Sequence, residues 1–436
     1  MRWGRYSTVL FAAAALAVAL ALHFSRGPDA AGSGLGPARR FLLGMPTDVD
    51  SWRVMQAAFE QTRQNPKERL YRKVFYEQRR KYLYAPTALL FYAPFAPAGG
   101  LAEPSDASPA LRVLCWLAVM GSIVFAWATF DTGSGFSPRA ALAEGRGGEV
   151  AARFLAFAVL GLAFYPLMKA YGLGQIQMWV NCALVGAILA WVKGRAALAG
   201  ALTGITALIK PQYSLLVLWG AWRRDWRFFI GALCTLIPGL LLSLWMFGLQ
   251  NHVDYLDVLS FLSRHGEAYF FNQSINGALN RLLGNGDWRV FSAESYPPFN
   301  RIVYLGTLAS SAVLVGTAFF ASRPSAVRAE RPGDATAFCI MILSATMASP
   351  LAWEHHYGVT FGIFAWAFAR ALRADAPPAL LAFLCASYLL MGNYIDQARS
   401  VPAGWATLLQ SYVLAGALVA LVCLHLLRPR PSSAPP

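Results

Sequence analysis

Charged side chains are few: Asp, Glu, Lys and Arg make up only 14% of the 436 residues. A soluble domain spends about a quarter of its residues on charge, so one ordinary water-soluble core is excluded. Acids are scarcer than bases, 22 against 37, and the formal charge is +15. In a chain this apolar, that excess is not a nucleic-acid footprint until the side of the membrane holding each cation is known. Cysteine is sparse and unpatterned. Cys115, Cys182, Cys234, Cys339, Cys385 and Cys423 lie in apolar runs and no CxxC occurs, which excludes a disulfide framework and leaves small packing hydrophobes. Histidine numbers 6, and two of these are the neighbours His355 and His356. Adjacent helical residues point about 100° apart, not the i, i+4 geometry of a shared metal site, so no metal is expected. No internal repeat is visible, which removes one mark of a transporter built from related halves.

Apolar residues fill the space these absences leave. Hydrophobic side chains reach 57% and mean hydropathy is +0.44. The reading is an all-α polytopic membrane protein of about 12 transmembrane helices, forming one integral-membrane domain over 1–436. Expected spans are 6–24, 84–98, 110–130, 150–168, 176–192, 196–222, 227–249, 302–321, 336–353, 357–372, 378–391 and 405–427. Several fall short of the roughly 20 residues a crossing needs, so broken or re-entrant helices are expected.

Positive charge orients the spans. Arg2 and Arg5, then Arg223, Arg224 and Arg227, then Arg323, Arg328 and Arg331 belong on the cytoplasmic side, as do Arg370, Arg373 and the tail 428–436 with Arg428 and Arg430. Both termini are then cytoplasmic, and three segments fall outside together: 25–83, 250–301 and the turn "SPLAWEHHYG" at Ser349 to Gly358. Lys193 and Arg195 also look cytoplasmic. That parity requires 196–222 to be a hairpin split at Lys210-Pro211 and one earlier segment not to cross. The first residues read as an uncleaved signal anchor, with a cleaved signal peptide as the alternative.

In the first outer segment, Trp52, Met55 and Phe59 recur at helical spacing and are followed by a run of Arg, Lys and Tyr. This reads as an amphipathic helix at the membrane surface, its cations meeting anionic headgroups or a phosphate. The second, rich in Tyr, Phe, Asn and Gln, suits interface anchoring and sugar recognition alike; Asn272, Gln273, Asn276 and Arg281 are candidate contacts to sugar or acceptor hydroxyls. Lys210, in "TALIKPQYSLL", is an ionisable group inside an apolar span, hence a site candidate or a snorkelling lysine at a short helix end. Asp48 and Asp50 precede the amphipathic helix in "PTDVDSW"; one suffices for an N-cap. With Glu354, His355 and His356 they make a plausible active-site rim.

These stretches resemble glycosyltransferase family 87. "DSWRVMQAA", "LYRKVF", "YLYAPTALLFYAPF", "GQIQMWVN", "AGALTGITALIKPQYSLLVLWGAWRRDWR", "FNQSINGALNRLL" and "SPLAWEHHYG" follow one another in that family's order, from about Asp48 to the final span. Two departures stand out: "DVDSW" holds two acids where the family usually shows an acid followed by an aromatic, and "YAP" replaces Tyr-Pro-Pro. The resemblance implies a C-type integral-membrane enzyme with no cofactor. Its donor would be a polyprenyl-phosphate sugar, most often mannose, and its acceptor a lipid-linked or envelope glycan on the outer face of the cytoplasmic membrane. Transfer would be inverting, with Asp50 as general base ahead of Asp48. His355, His356, Lys210, Glu354 and Arg53 would hold donor phosphate or sugar, and Gln175 would join the sugar or acceptor contacts. A phosphate leaving group departs unprotonated, so one base suffices, and an outer aqueous cleft leaves its pKa near the ordinary value. The rival readings are a transporter or lipid flippase, with Lys210 and broken helices along a pathway, and a non-catalytic scaffold.

Overall fold

The computed structural model describes residues 35–96, 108–323 and 333–428, with Val18 alone besides. The expected anchor 6–24, Arg2, Arg5, Arg328, Arg331 and tail residues 429–436 lie outside the described residues. The described residues are helical, with one isolated bridge between Asn272 and Trp353.

Within 25–83, expected outside, lie α1 (Gly36–Leu42) and α2 (Asp50–Gln64). The expected i, i+3, i+7 face of α2 exists, but protein covers it where headgroups were expected. Trp52 packs on Trp179 (ring centroids 5.4 Å) and Phe59 on Phe247 (6.4 Å), because these rings reach a protein groove before they reach lipid. The span expected at 84–98 is corrected: two short 3-10 segments, Pro86–Phe91 and Ala93–Phe95, stand there, since Pro86 and Pro94 punctuate the run.

α3 (Pro109–Ser134) starts at a Ser108 cap with Pro109 at its first position and ends at Gly135 in the left-handed region. After α4 (Pro138–Ala143), α5 (Gly147–Ala163) and α6 (Tyr165–Gly172) form one path bent by 63°. α7 (Gln177–Val192), α8 (Ala196–Ile209) and α9 (Ser214–Trp222) follow, then α10 (Trp226–Phe247). α8 carries Gly200 and Gly204 one turn apart. A Cβ on Gly200 would sit 2.0 Å from the Phe228 carbonyl, and one on Gly204 2.2 Å from Thr235 Oγ1, so the pair lets α8 and α10 touch backbone to backbone. α8 stops at Lys210, extended at φ −131°, because Pro211 cannot continue it. α9 then returns: Trp219 lies 5.5 Å from Trp191, which closes α7 just before α8 begins. The hairpin required by charge parity is therefore present.

α11 (Leu249–His265) and α12 (Ile275–Leu282) come next. α13 (Arg301–Ala321), α14 (Thr336–Met347), α15 (Thr360–Arg373), α16 (Pro378–Gly392) and α17 (Tyr412–Leu426) complete the bundle. By length and composition four described helices can each cross a bilayer, and the bent α5–α6 pair makes five. Shorter apolar helices among the described residues, α7, α8, α14 and α16, stand beside these, in line with the expectation that several of the roughly twelve spans are short or broken. Trp245, 81% exposed, and Val313, 64%, face outward as lipid-facing side chains do.

The two ends of the bundle differ. At one, Trp191 Nε1 donates to the Asp334 carbonyl at 3.0 Å, Arg370 pairs with Asp334, Trp219 donates to Ser322, and Arg428 reaches the Ala321 carbonyl. At the other, the approach to α7, the end of α8, the end of α14 and the approach to α15 meet residues of 48–84 and 255–294 around a cavity.

Candidate active site

The cavity encloses about 1280 Å³. Asp48, Asp50, Arg53, Lys210, Gln175, Glu354, His355 and His356, drawn from distant parts of the chain, all line it. Asn272, Gln273, Asn276 and Arg281, expected among the sugar or acceptor contacts, do not line it. Asn272 bonds the backbone of Glu267, Pro350 and Ala352. Gln273 bonds Phe270, Gln410 and Val413, Asn276 bonds Glu267 and Thr307, and Arg281 bonds three carbonyls and Ser411. Buried polar groups are paired as a rule, and these four side chains make their bonds behind the wall, with Arg281 Nε alone among the named groups left without one. Asn272 and Gln273 instead hold the EHH turn: Gln273 N donates to Ala352 O at 2.8 Å and Glu354 N to Phe271 O at 3.1 Å.

The acidic segment is pinned to the end of α6. Asp48 N donates to Gly172 O at 2.9 Å and Asp50 N to Leu173 O at 3.0 Å. Gly174 closes this seam at φ +61°, where an added Cβ would meet the Asp48 carbonyl at 1.9 Å. Neither acid caps α2: Val49 stands at the cap, Asp50 is the first helical residue, and Asp48 pairs with Arg40 at 3.0 Å. Asp50 is left for other work. Gln175 Nε2 donates to its Oδ2, while Gln175 Oε1 accepts from Ser51 Oγ at 2.6 Å and Tyr84 Oη at 3.1 Å. Gln175 thus orients Asp50.

Asp50 is exposed, but to the interior of a deep cavity. Desolvation by the surrounding walls raises its pKa, against the Gln175 hydrogen bond and with help from Asp48, while Lys169 and Arg53 pull it back. The expectation of an ordinary pKa in an open aqueous cleft is revised accordingly.

Elsewhere on the cavity wall Lys210 Nζ lies 2.6 Å from His356 Nε2, within hydrogen-bond distance. When Lys210 is an ammonium it donates, and Nε2 of a neutral His356 accepts. Burial, then Lys210, holds both His355 and His356 well below the ordinary histidine range. Tyr84 spans the two halves: its hydroxyl meets Gln175, and its ring centroid lies 6.0 Å from Lys210 Nζ. Glu354 is 1% exposed; its Oε1 accepts from Tyr165 Oη at 2.7 Å, and burial pushes its carboxyl up to about 7.

Sequence reasoning missed Lys169, Tyr84 and Tyr165. Lys169 carries the signal that found Lys210, a lone cation in an apolar run, but it stands one residue beyond the expected span 150–168. Lys169 lines the cavity from α6. Cations on its walls also include Arg79, Arg80 and Lys81, and Lys81 pairs with Glu267 at 2.7 Å.

A carboxylate held in one cleft with a Lys–His pair can take a proton from one ligand while the pair binds an anionic group of another. Comparison with curated proteins and with solved structures gives no match. The family model for glycosyltransferase family 87 matches residues 82–350, well over half the chain. That stretch carries Lys210 and Gln175 but stops short of the EHH turn and starts after Asp50, so these rest on the cavity geometry. The chain belongs to glycosyltransferase family 87 and is a multi-pass membrane glycosyltransferase.

Proposed function

We propose that the protein transfers a hexose, mannose in the first instance, from a polyprenyl phosphate to a lipid-linked or envelope glycan on the outer face of the cytoplasmic membrane. The observation that carries this reading is that Asp50, held by Gln175, and the Lys210–His356 pair line the same cavity. Asp50 accepts the proton of an acceptor hydroxyl as its oxygen attacks the anomeric carbon. The bond from that carbon to the phosphate oxygen breaks, and polyprenyl phosphate leaves with the electron pair. Lys210, His355, His356 and Arg53 bind the phosphate and meet its growing charge. One displacement inverts the anomeric centre.

Sidedness draws support from charge. Arg223, Arg323, Arg370 and Arg428 belong to the end of the bundle away from the cavity, as a cytoplasmic end requires. The test is transfer by purified protein in liposomes, given polyprenyl-phosphate mannose and an envelope-lipid extract. Wild type transfers, and Asp50→Asn, folded by its elution profile, loses about 10²–10⁴-fold. Equal transfer by both proteins removes Asp50 as the base. Movement of the lipid across the bilayer without sugar transfer replaces the reading with a flippase.

A further inference from the structure

We propose that Glu354, oriented by Tyr165 and flanked by Lys169, forms with the aromatic wall of Phe271 and Trp353 the subsite that grips the ring of an uncharged pyranose on the donor. This rests on the donor reading above and adds which part of the donor is read, and by what.

Glu354 is fixed from several directions. Its backbone N–H is bonded to Phe271, its neighbour Trp353 bridges to Asn272, and its Oε1 accepts from Tyr165 Oη at 2.7 Å. Its Oε2 is buried with no hydrogen-bond partner among the described residues, although the residue stands in the cavity wall. A buried acceptor left unmet costs about 1–3 kcal/mol, and one retained beside a cavity is explained by a ligand that donates to it. Sugar hydroxyls are such donors.

The surroundings fit the same ligand. Lys169 follows Tyr165 by one turn of α6, so both side chains leave the same face. Its Nζ lies 5.9 Å from the Tyr165 ring centroid and 5.3 Å from that of Phe271. Phe271 and Trp353 line the cavity, and Tyr269 touches both, with centroids at 5.0 and 6.4 Å. A pyranose offers hydroxyls at its edge and C–H bonds on its faces. A carboxylate and an ammonium match the edge, and flat rings match the faces. Burial disfavours charge in this pocket, as the raised Glu354 carboxyl shows, so a second carboxylate from a uronic acid is disfavoured and the sugar class is neutral. Glu354 is two residues from His356, which meets Lys210; the ring of a sugar phosphate must lie beside its phosphate, which makes this the donor subsite.

The experiment measures binding of bare polyprenyl phosphate and of its mannose, glucose and galactose derivatives to purified protein. Wild type prefers one sugar-bearing lipid over the bare one. Glu354→Gln weakens that lipid about tenfold or more, the loss of one charged hydrogen bond, and leaves bare polyprenyl phosphate within about twofold. Tyr165→Phe, which keeps the ring, shifts the same ratio in the same direction by less and carries the test if Glu354→Gln does not fold. Equal weakening of bare and sugar-bearing lipids, or no weakening in either variant, overturns the subsite. So does a wild type that binds bare lipid phosphate yet shows no sugar preference, with the donor reading left intact. A wild type that binds neither lipid overturns both.

Discussion

Lys210 Nζ sits 2.6 Å from His356 Nε2, although 146 residues separate them. Packing brings them together: Pro211 ends α8 where the EHH turn passes, and Gly200 and Gly204 hold α8 close against α10.

The pair should act as a unit. Lys210→Met and His356→Gln each weaken donor binding by about 1.5–3 kcal/mol, and the double variant loses less than the sum. Titrating polyprenyl phosphate against the four proteins of the cycle measures the coupling; strict additivity would show that the two side chains serve different ligands.

Asp50 must be ionised to accept a proton, and its pKa is raised, so activity should fall as pH drops through that raised value. Gln175 opposes the rise through its hydrogen bond. Gln175→Leu therefore moves the acid limb of the pH–rate profile to higher pH, whereas a merely structural glutamine lowers the rate at every pH and leaves the limb in place.

Glu354 titrates near 7 when folded, against 4.5 for an ordinary glutamate. Between those values the folded protein holds a proton that the unfolded chain has released. Stability contributed by this group is thus present below about 4.5 and is lost as pH rises toward about 7. Melting temperature in detergent should show this decline in wild type, and Glu354→Gln should flatten it.

Gly174→Ala places a Cβ against the Asp48 carbonyl at a left-handed φ. The segment carrying Asp50 has to move, and a displacement of about 1 Å at a base costs on the order of 100-fold in turnover. Steady-state kinetics on the folded variant decide it; unchanged kcat means the seam tolerates the methyl.

Asn272→Ala leaves the buried backbone groups of Glu267, Pro350 and Ala352 without this partner. Each unmet group costs about 1–3 kcal/mol, so the change should appear first as a lower melting temperature. A stable variant with a raised acceptor KM would return Asn272 to the sugar contacts.

Composition and order of residues carried much of this. Scarce charge and long apolar runs dictate helices in a membrane, because backbone polar groups in hydrocarbon must pair within their own segment. A lysine followed by proline marked the break at Lys210, and the basic clusters required the 196–222 hairpin that α8 and α9 form. Asp50, Lys210 and the EHH turn drew notice in the sequence as polar groups bordering apolar runs, and they line one cavity.

Only the tertiary structure decided what each polar residue spends itself on. Asn272, Gln273, Asn276 and Arg281 look in sequence like Gln175, yet they bond buried backbone and hydroxyl groups while Gln175 meets a carboxylate. Asp48 and Asp50 differ by two residues, and the distinction came from Arg40 and Gln175, eight and 125 positions away. Hydrogen bonding and desolvation depend on groups brought close by packing, and distance in space has no period in the sequence. Lys169 became visible only when the bend between α5 and α6 turned it toward the same cavity as Glu354.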